Sequence, residues 1–466
     1  MSSLFSRSCQ VFWTCLCCLA VVLAYCAPAS ADAKPDVKFQ GIPLACYVSA
    51  SELIPDNNGR VFSLLEIASK YSEAKQYEQA VAILDQALEQ IKDSPDNSSK
   101  AFLLVELADR YASANQKQKA GTVLNQAFTL IKGFPNKTDR VFAGVKIART
   151  YAKLDQKDKA DRLLKQALPI SADIVDVYAK SRAYEAIASA LISIDDLETA
   201  NTALLKGQEY AGMALEASTR SRSLIELAGT YAELKDHKNA IKFLQDAFDE
   251  VGEEIPPAYK QDFMARAFAL VVERYLTTNQ YDQAAQVIAN IPDTSIEKAI
   301  GLLNLASAYR KSNQPELALS TLEQSLNKAK PLPDSLDKAA LFTEIAQSYR
   351  QLDKPEQAKE LMEQSQQIAR KLTNPAEKIY ALSSLASQYA DLGQMDTAKQ
   401  LLDQSLAVLE ETDKTKKLGN RDRAASDIAG LYWQVGETAK AQTLADSLGD
   451  SPEKQQLQTL FNCAKA

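Results

Sequence analysis

Among 466 residues there is a single histidine, His237. Triads, proton shuttles and most catalytic zinc sites need an imidazole set beside other reactive groups, so histidine-centred chemistry has almost nothing to work with. A surplus of positive charge is missing too, since 60 acidic side chains outweigh 53 basic ones and the formal net charge is −7. Binding nucleic-acid phosphates demands clustered Lys and Arg in excess, so no nucleic acid is expected as a partner. No apolar run reaches the ~20 residues of a membrane-spanning helix. The longest extends from Val11 to Ala27 and is broken by Thr14.

That run gives residues 1–31 the pattern of a signal peptide. One charge, Arg7, precedes the apolar stretch, and Ala29-Ser30-Ala31 supplies small residues before Asp32. Cleavage is expected between Ala31 and Asp32, with export by the Sec route to a periplasmic, lumenal or secreted destination and no stable transmembrane segment afterwards; an uncleaved anchor is the competing reading, and Leu23-Ala24-Tyr25-Cys26 resembles a lipoprotein cleavage box except that bulky Tyr25 sits where a small residue is wanted. Five of the seven cysteines would leave with the peptide, so Cys46 and Cys463 stand alone at opposite ends of the mature chain. A disulfide needs Cα atoms roughly 4.4–6.8 Å apart. An elongated molecule holds its ends farther apart, so free thiols or an intermolecular bridge are expected. Neither cysteine belongs to a CxxC pair or lies near the histidine in sequence, and no metal or cofactor site is expected.

A chain of this length exceeds the roughly 250–300 residues that one core supports, so it must divide or repeat. It repeats. Tyr71, Tyr111, Tyr151, Tyr231, Tyr275, Tyr309, Tyr349, Tyr389 and Tyr432 form a column whose commonest spacing is 40 residues, with Leu191 in the one vacancy. Nine positions after every member comes alanine, from Ala80 and Ala120 to Ala441. Three positions before it lies another alanine, as at Ala68, Ala108 and Ala148, with Val272 the exception. Offsets of −7, −4, −3 and 0 put these side chains on one face of a helix at 100° per residue. A second stripe, such as Ala80, Leu84 and Ala87, marks a second helix. Between them, four residues after the column, Asn115, Asp155, Asp195, Asn279, Asn313, Asp353, Gly393 and Gly436 are types that tolerate the left-handed conformation ending a helix. No segment alternates convincingly as a strand.

The small residue, the tyrosine and the invariant alanine, followed by a large-small apolar pair, resemble the tetratricopeptide repeat family over about residues 60–450. The period departs from that family's 34, and its closing proline is absent. The resemblance implies an all-α solenoid of about ten helix-turn-helix repeats forming a right-handed superhelix. The expected organisation is a signal peptide (1–31), a lead segment (32–59), units 1–5 (60–250), an irregular unit with a possible bend (251–297), units 7–10 (298–450) and a C-terminal capping helix (451–466). Pro256-Pro257 and the short sixth unit motivate the bend.

In proteins of this resemblance one face of the first helices lines a groove that grips peptides. Nine residues before the column, that face carries Phe62, Phe102 and Phe142, then Arg182, Arg222 and Arg266. An apolar section followed by a cationic one suits a partner protein or peptide with hydrophobic anchors and carboxylates. Packing against neighbours and pairing with nearby acids is the competing reading of the same six. A basic column eleven residues before the tyrosine (Arg60, Lys100, Arg140, Lys180, Arg220, Lys298, Lys338, Lys378, Arg421) reads as a solvated, paired edge. The function expected is a non-enzymatic, exported protein-interaction scaffold. The alternatives are a cell-wall or polysaccharide-acting enzyme using paired carboxylates, or an oligomeric structural component joined through Cys46 or Cys463.

Overall fold

The structure, a computed structural model, describes residues 37–39, 41–94, 96–251, 256–414 and 421–465. The proposed signal peptide, with Ala31 and Asp32 at its cleavage site, lies outside the described residues. The described chain opens on two short antiparallel strands, β1 (Lys38–Phe39) and β2 (Ile42–Pro43), and a helix α1 (Leu44–Ser51). The strand register pairs Lys38 with Pro43 and Phe39 with Ile42. This pair is a small exception to the all-α expectation.

Ten helical hairpins follow. Unit 1 joins α2 (Asn57–Glu73) to α3 (Tyr77–Lys92), unit 2 joins α4 (Asn97–Ser113) to α5 (Lys117–Ile131), and unit 3 joins α6 (Lys137–Lys153) to α7 (Lys157–Ala172). Unit 4 is α8 (Val177–Ile192) with α9 (Leu197–Gly212), unit 5 is α10 (Ala217–Glu233) with α11 (His237–Glu250), and unit 6 is α12 (Pro257–Thr277) with the short α13 (Tyr281–Ala289). Units 7 and 8 are α14 (Ile296–Lys311) with α15 (Pro315–Ala329) and α16 (Leu336–Gln351) with α17 (Pro355–Lys371). Units 9 and 10 are α18 (Pro375–Asp391) with α19 (Met395–Lys414) and α20 (Arg421–Gln434) with α21 (Thr438–Asp446), and α22 (Pro452–Lys465) ends the chain.

Each hairpin turns in the same way. The residue four after the column has positive φ in all ten units, between 57° and 83°. Lys75 and Lys235 adopt it as well as the eight Asn, Asp and Gly residues. The next amide then reaches back to the column residue's carbonyl, as Gln76 N does to Tyr71 O at 2.8 Å and Lys354 N to Tyr349 O at 2.9 Å. This six-to-one bond satisfies a carbonyl that the ending helix would otherwise leave orphaned.

The connections between units are equally regular. Asp56, Asp96, Asn136 and Asp176 cap the first helices of units 1–4 by accepting backbone N–H bonds, for example from Ser99 at 2.7 Å and Ala179 at 2.6 Å. The basic column has a role that its own helix does not explain. Lys100 donates to Lys92 O at 2.6 Å, Lys298 to Ala289 O at 3.1 Å, and Lys338 to Leu332 O at 2.6 Å and Lys330 O at 3.0 Å. Arg220 donates to Ala214 O and Leu215 O, each at 2.8 Å. These cations close the carbonyl end of the preceding unit's second helix, where the helix dipole favours them. The column is therefore inter-unit structure as well as surface.

The alanine and tyrosine columns are buried, Ala80, Ala120, Ala160, Ala200 and Ala240 completely so. One apolar cluster runs from Tyr184 through Val271 and Tyr275 to Leu302 and Ala318, and it bridges units 4–7. Another covers units 7–10 and takes in Ile42, Cys46 and Ala50 of the lead segment. Helix α1 packs on α2 of unit 1 and also on α22, while Trp433 stacks on Phe461 with centroids 4.4 Å apart. Gly41, with φ 75°, brings the lead backbone against Gln434 and Trp433.

Cys46 and Cys463 are accordingly bonded to each other, with an S–S distance of 2.06 Å and Cα atoms 5.6 Å apart. The expectation of free thiols or an intermolecular bridge is overturned. Its premise was that an array keeps its ends apart. Here one lead segment covers the apolar faces of both terminal units, and the contacts run in a closed circuit. The basis for a disulfide-linked oligomer goes with it.

Candidate interaction groove

The first helices of units 2–6 converge on one cavity of about 620 Å³. Each contributes one or a few side chains, so no single unit could form it. Helical spacing explains why. Offsets −9, −6 and −2 from the column lie on the face turned away from the tyrosine, and successive units repeat that face along the stack.

Of the six residues expected in a groove, Phe142 and Arg182 line this cavity. Phe62 and Phe102 lie outside it but remain 44% and 46% exposed, with ring centroids 6.1 Å apart. Lys146 Nζ sits 4.1 Å over the Phe102 ring, and the Arg182 guanidinium lies 5.9 Å from both Phe142 and Tyr178. Arg222 approaches the other neighbour of that series, Tyr178, at 5.9 Å. Phe62, Phe102, Phe142, Arg182 and Arg222 thus belong to one run of aromatic and cationic contacts. Arg266 does not join it; its guanidinium pairs with Asp262 one turn earlier at 3.0 Å.

Charge inside the cavity is partly balanced. Lys146 pairs with Glu106, Lys153 with Asp109 at 2.6 Å, and Arg274 with Glu233 at 2.7 Å. Two guanidiniums are left over. Arg149 donates to the Ser189 hydroxyl at 2.8 Å, and the Arg182 Nε is buried without a hydrogen-bond acceptor. Neither has a carboxylate within ion-pair distance among the described residues. Between them and Arg274 lies Glu185, only 5% exposed, whose carboxylate accepts the Thr230 hydroxyl at 2.8 Å. Burial, reinforced by the negative charge of Glu226, pushes the Glu185 carboxyl up to about 7, against the opposing effects of the Thr230 bond and Arg274.

Comparison with known proteins bears on these hairpins. The tetratricopeptide repeat family matches residues 297–371, covering units 7 and 8, and again residues 221–249 in unit 5. Over those two stretches the chain matches tetratricopeptide repeats. Solved structures similar to this chain include Ton1535 from Thermococcus onnurineus NA1, at 15% identity over 78% of this chain and 99% of that one, with a TM-score of 0.34. A Podosopora anserina putative kinesin light chain with nearly identical TPR-like repeats shares 22% identity over 43% of this chain and 99% of its own, at a TM-score of 0.31. A Rap protein complexed with Competence and Sporulation Factor shares 16% over 69% and 99%, at 0.29. At these values the likeness carries no argument about this chain. No curated protein matches it.

Among the cavity residues that escaped the sequence reading are Lys146, Arg149, Glu185, Glu226 and Arg274. For one of them the signal was present. Six residues before the column stand Leu65, Val105, Val145, Ile225, Ala269 and Leu303, with the hydroxyl residues Thr343, Ser383 and Ser426 in units 8–10, and Glu185 is the charged member of that series. A carboxyl in an otherwise uncharged column is the departure that marks the site.

Proposed function

We propose that this protein is an exported, non-catalytic scaffold that holds another protein or peptide along the first-helix face of units 1–6. The observation that carries the reading is the cavity to which five successive first helices contribute, continuous with exposed Phe62 and Phe102. Aromatic anchors beside unpaired guanidiniums suit a segment bearing both apolar and acidic side chains. Repeats and their caps occupy nearly all the described residues. The six-residue assignment narrows accordingly, with Arg266 less engaged than Arg182 and Arg222.

Export draws support from cysteine placement. The two cysteines that cleavage would retain are the two that meet in a disulfide, and such bonds persist in oxidising compartments. Among the described residues no helix is long and apolar enough to cross a membrane.

Crosslinking in the native compartment, with Phe62 or Phe102 replaced by a photoreactive residue, should capture one reproducible protein partner. Capture that is unchanged when the photoreactive residue sits on the outer face of α5 would defeat the groove reading. N-terminal sequencing of the mature protein tests export, and a chain still beginning at Met1 would refute it.

A further inference from the structure

The cavity holds a charge arrangement that needs a further explanation. Arg149 on α6 and Arg182 on α8 bring two guanidiniums to one space with no carboxylate partner among the described residues. Glu185, one turn from Arg182 on the same helix, is the nearest candidate to neutralise them in sequence, yet it bonds only Thr230. Phe142, Val145 and Ala186 add apolar surface to a wall otherwise rich in charged side chains. Such a site is short of one negative charge that can reach between the arginines.

We propose that the cavity takes one carboxylate of its ligand between Arg149 and Arg182, and that this binding is coupled to a proton on Glu185. The inference rests on the groove reading above and adds its regulation. With Glu185 neutral, the incoming carboxylate meets two guanidiniums and a carboxyl O–H able to donate to it. With Glu185 ionised, the same space already contains a negative charge, and the ligand is repelled.

Charged groups face Glu185 from four other helices. From α10 come Glu226 and Glu233, from α12 Arg274, from α6 Lys146, Arg149 and Lys153, and from α4 Glu106 and Asp109. Arg182 shares its helix. His237 bonds the Tyr275 hydroxyl and does not line the cavity. Glu185, with its carboxyl raised to about 7, titrates between pH 6 and 8. Affinity is highest while Glu185 is neutral and declines as pH rises through that value, because the bound carboxylate favours the protonated form.

The test is calorimetric titration of the full chain with a hexa-aspartate peptide at pH 6 and pH 8, where aspartate side chains stay ionised. Binding should weaken roughly tenfold over that interval, the equivalent of one unit of coupling. Measured in two buffers of different ionisation enthalpy at pH 7.5, it should take up a fraction of a proton. Glu185→Gln keeps an acceptor for Thr230 and cannot ionise, so it should bind at pH 8 as the native chain does at pH 6, with no proton uptake. Arg149→Gln and Arg182→Gln should each weaken binding at least tenfold at pH 6. Succinate in place of the peptide separates sources: binding equal to the peptide's indicates a free small acid, and much weaker binding indicates a segment of a protein. No peptide or succinate binding at either pH overturns the proposal, as does equal affinity at both pH values. Crosslinked capture through Phe62 or Phe102 can still succeed in either case, so the groove reading fails separately.

Discussion

Two regions of this molecule treat buried polarity and cysteine in opposite ways. Where the lead segment meets unit 10, the parts are closely packed: Ile42 and Leu44 are almost wholly buried, Trp433 lies flat on Phe461, and Cys46 is bonded to Cys463. Where units 3–6 face one another, space remains, two guanidiniums lack carboxylates, and a carboxyl is buried with one hydroxyl for company. The first region covers terminal repeats that would otherwise expose apolar faces, as every finite array must. The second leaves Arg182 Nε buried without an acceptor, in the same space as a carboxyl bonded to Thr230. Such unsatisfied polarity is expected where a ligand completes the set.

Breaking the closure should have the largest effect. The disulfide spans a sequence separation of 417 residues, and constraining so long a loop in the unfolded chain stabilises by about 6 kcal/mol on the loop-entropy account. Cys46→Ser should therefore lower the urea midpoint by the equivalent of about that amount, with the loss concentrated in units 1 and 10 by hydrogen exchange. The oxidised native chain should show no free thiol under denaturing conditions once residues 1–31 are removed. Two reactive thiols in the folded, exported protein would refute the closure.

The cavity offers the next largest change, and its sign is opposite. A carboxyl raised from 4.5 to about 7 on folding binds its proton more tightly in the native state. Stability is then fully present below the unfolded value and declines as pH rises through about 7, by on the order of 3 kcal/mol in all. Glu185→Gln should match the native chain near pH 4 and exceed it near pH 8, by unfolding midpoint. A variant that is less stable than the native chain at pH 8 would mean that the buried carboxylate is structurally required, and the contrast between the two regions would weaken.

Lys338 tests whether the basic column belongs with the closely packed region. Its side chain is 7% exposed, and its ammonium serves Lys330 O, Leu332 O and Asp334. Lys338→Met keeps the apolar stem but strands two carbonyls, at about 2 kcal/mol. Lys378, half-buried and without such bonds among the described residues, should tolerate the same change within about 0.5 kcal/mol. Equal losses at both positions, measured by denaturant unfolding, would reduce the column to a surface feature.

The hairpins were legible because each signal was local and repeated. A turn residue four places after the tyrosine, an alanine nine places after it and a stripe of period 3.6 fix a hairpin without knowledge of what lies far away. Lys75 and Lys235 show that even their exceptions follow the column, since the six-to-one bond imposes positive φ on residues that do not favour it. Closure was illegible because it depends on summed rotations over ten units, which no residue encodes. The cavity lay between these cases. In units 8 and 9 the position of Glu185 is held by Thr343 and Ser383, whose hydroxyls are satisfied at 3.0 Å and 2.9 Å by Ser365 and Ser405 within their own hairpins. Only the fold reveals that Glu185 has no such partner on α9 and turns to unit 5 instead.

The smallest effect should fall on Arg266, which sequence spacing places beside Arg182 and Arg222. Its side chain is 72% exposed and pairs with Asp262 on its own helix, an arrangement worth little to stability. Arg266→Glu should shift the unfolding midpoint by no more than about 0.5 kcal/mol and leave hexa-aspartate affinity within about twofold. Screening at physiological salt confines an exposed charge to roughly 8 Å, so its influence on the cavity is slight. Arg182→Glu, by contrast, should abolish that affinity at pH 6, because it replaces one of two unpaired guanidiniums with a like charge to the ligand. If the two reversals weaken binding equally, the ligand reads a diffuse cationic ridge, and the distinction between a built cavity and an ordinary solvated face disappears.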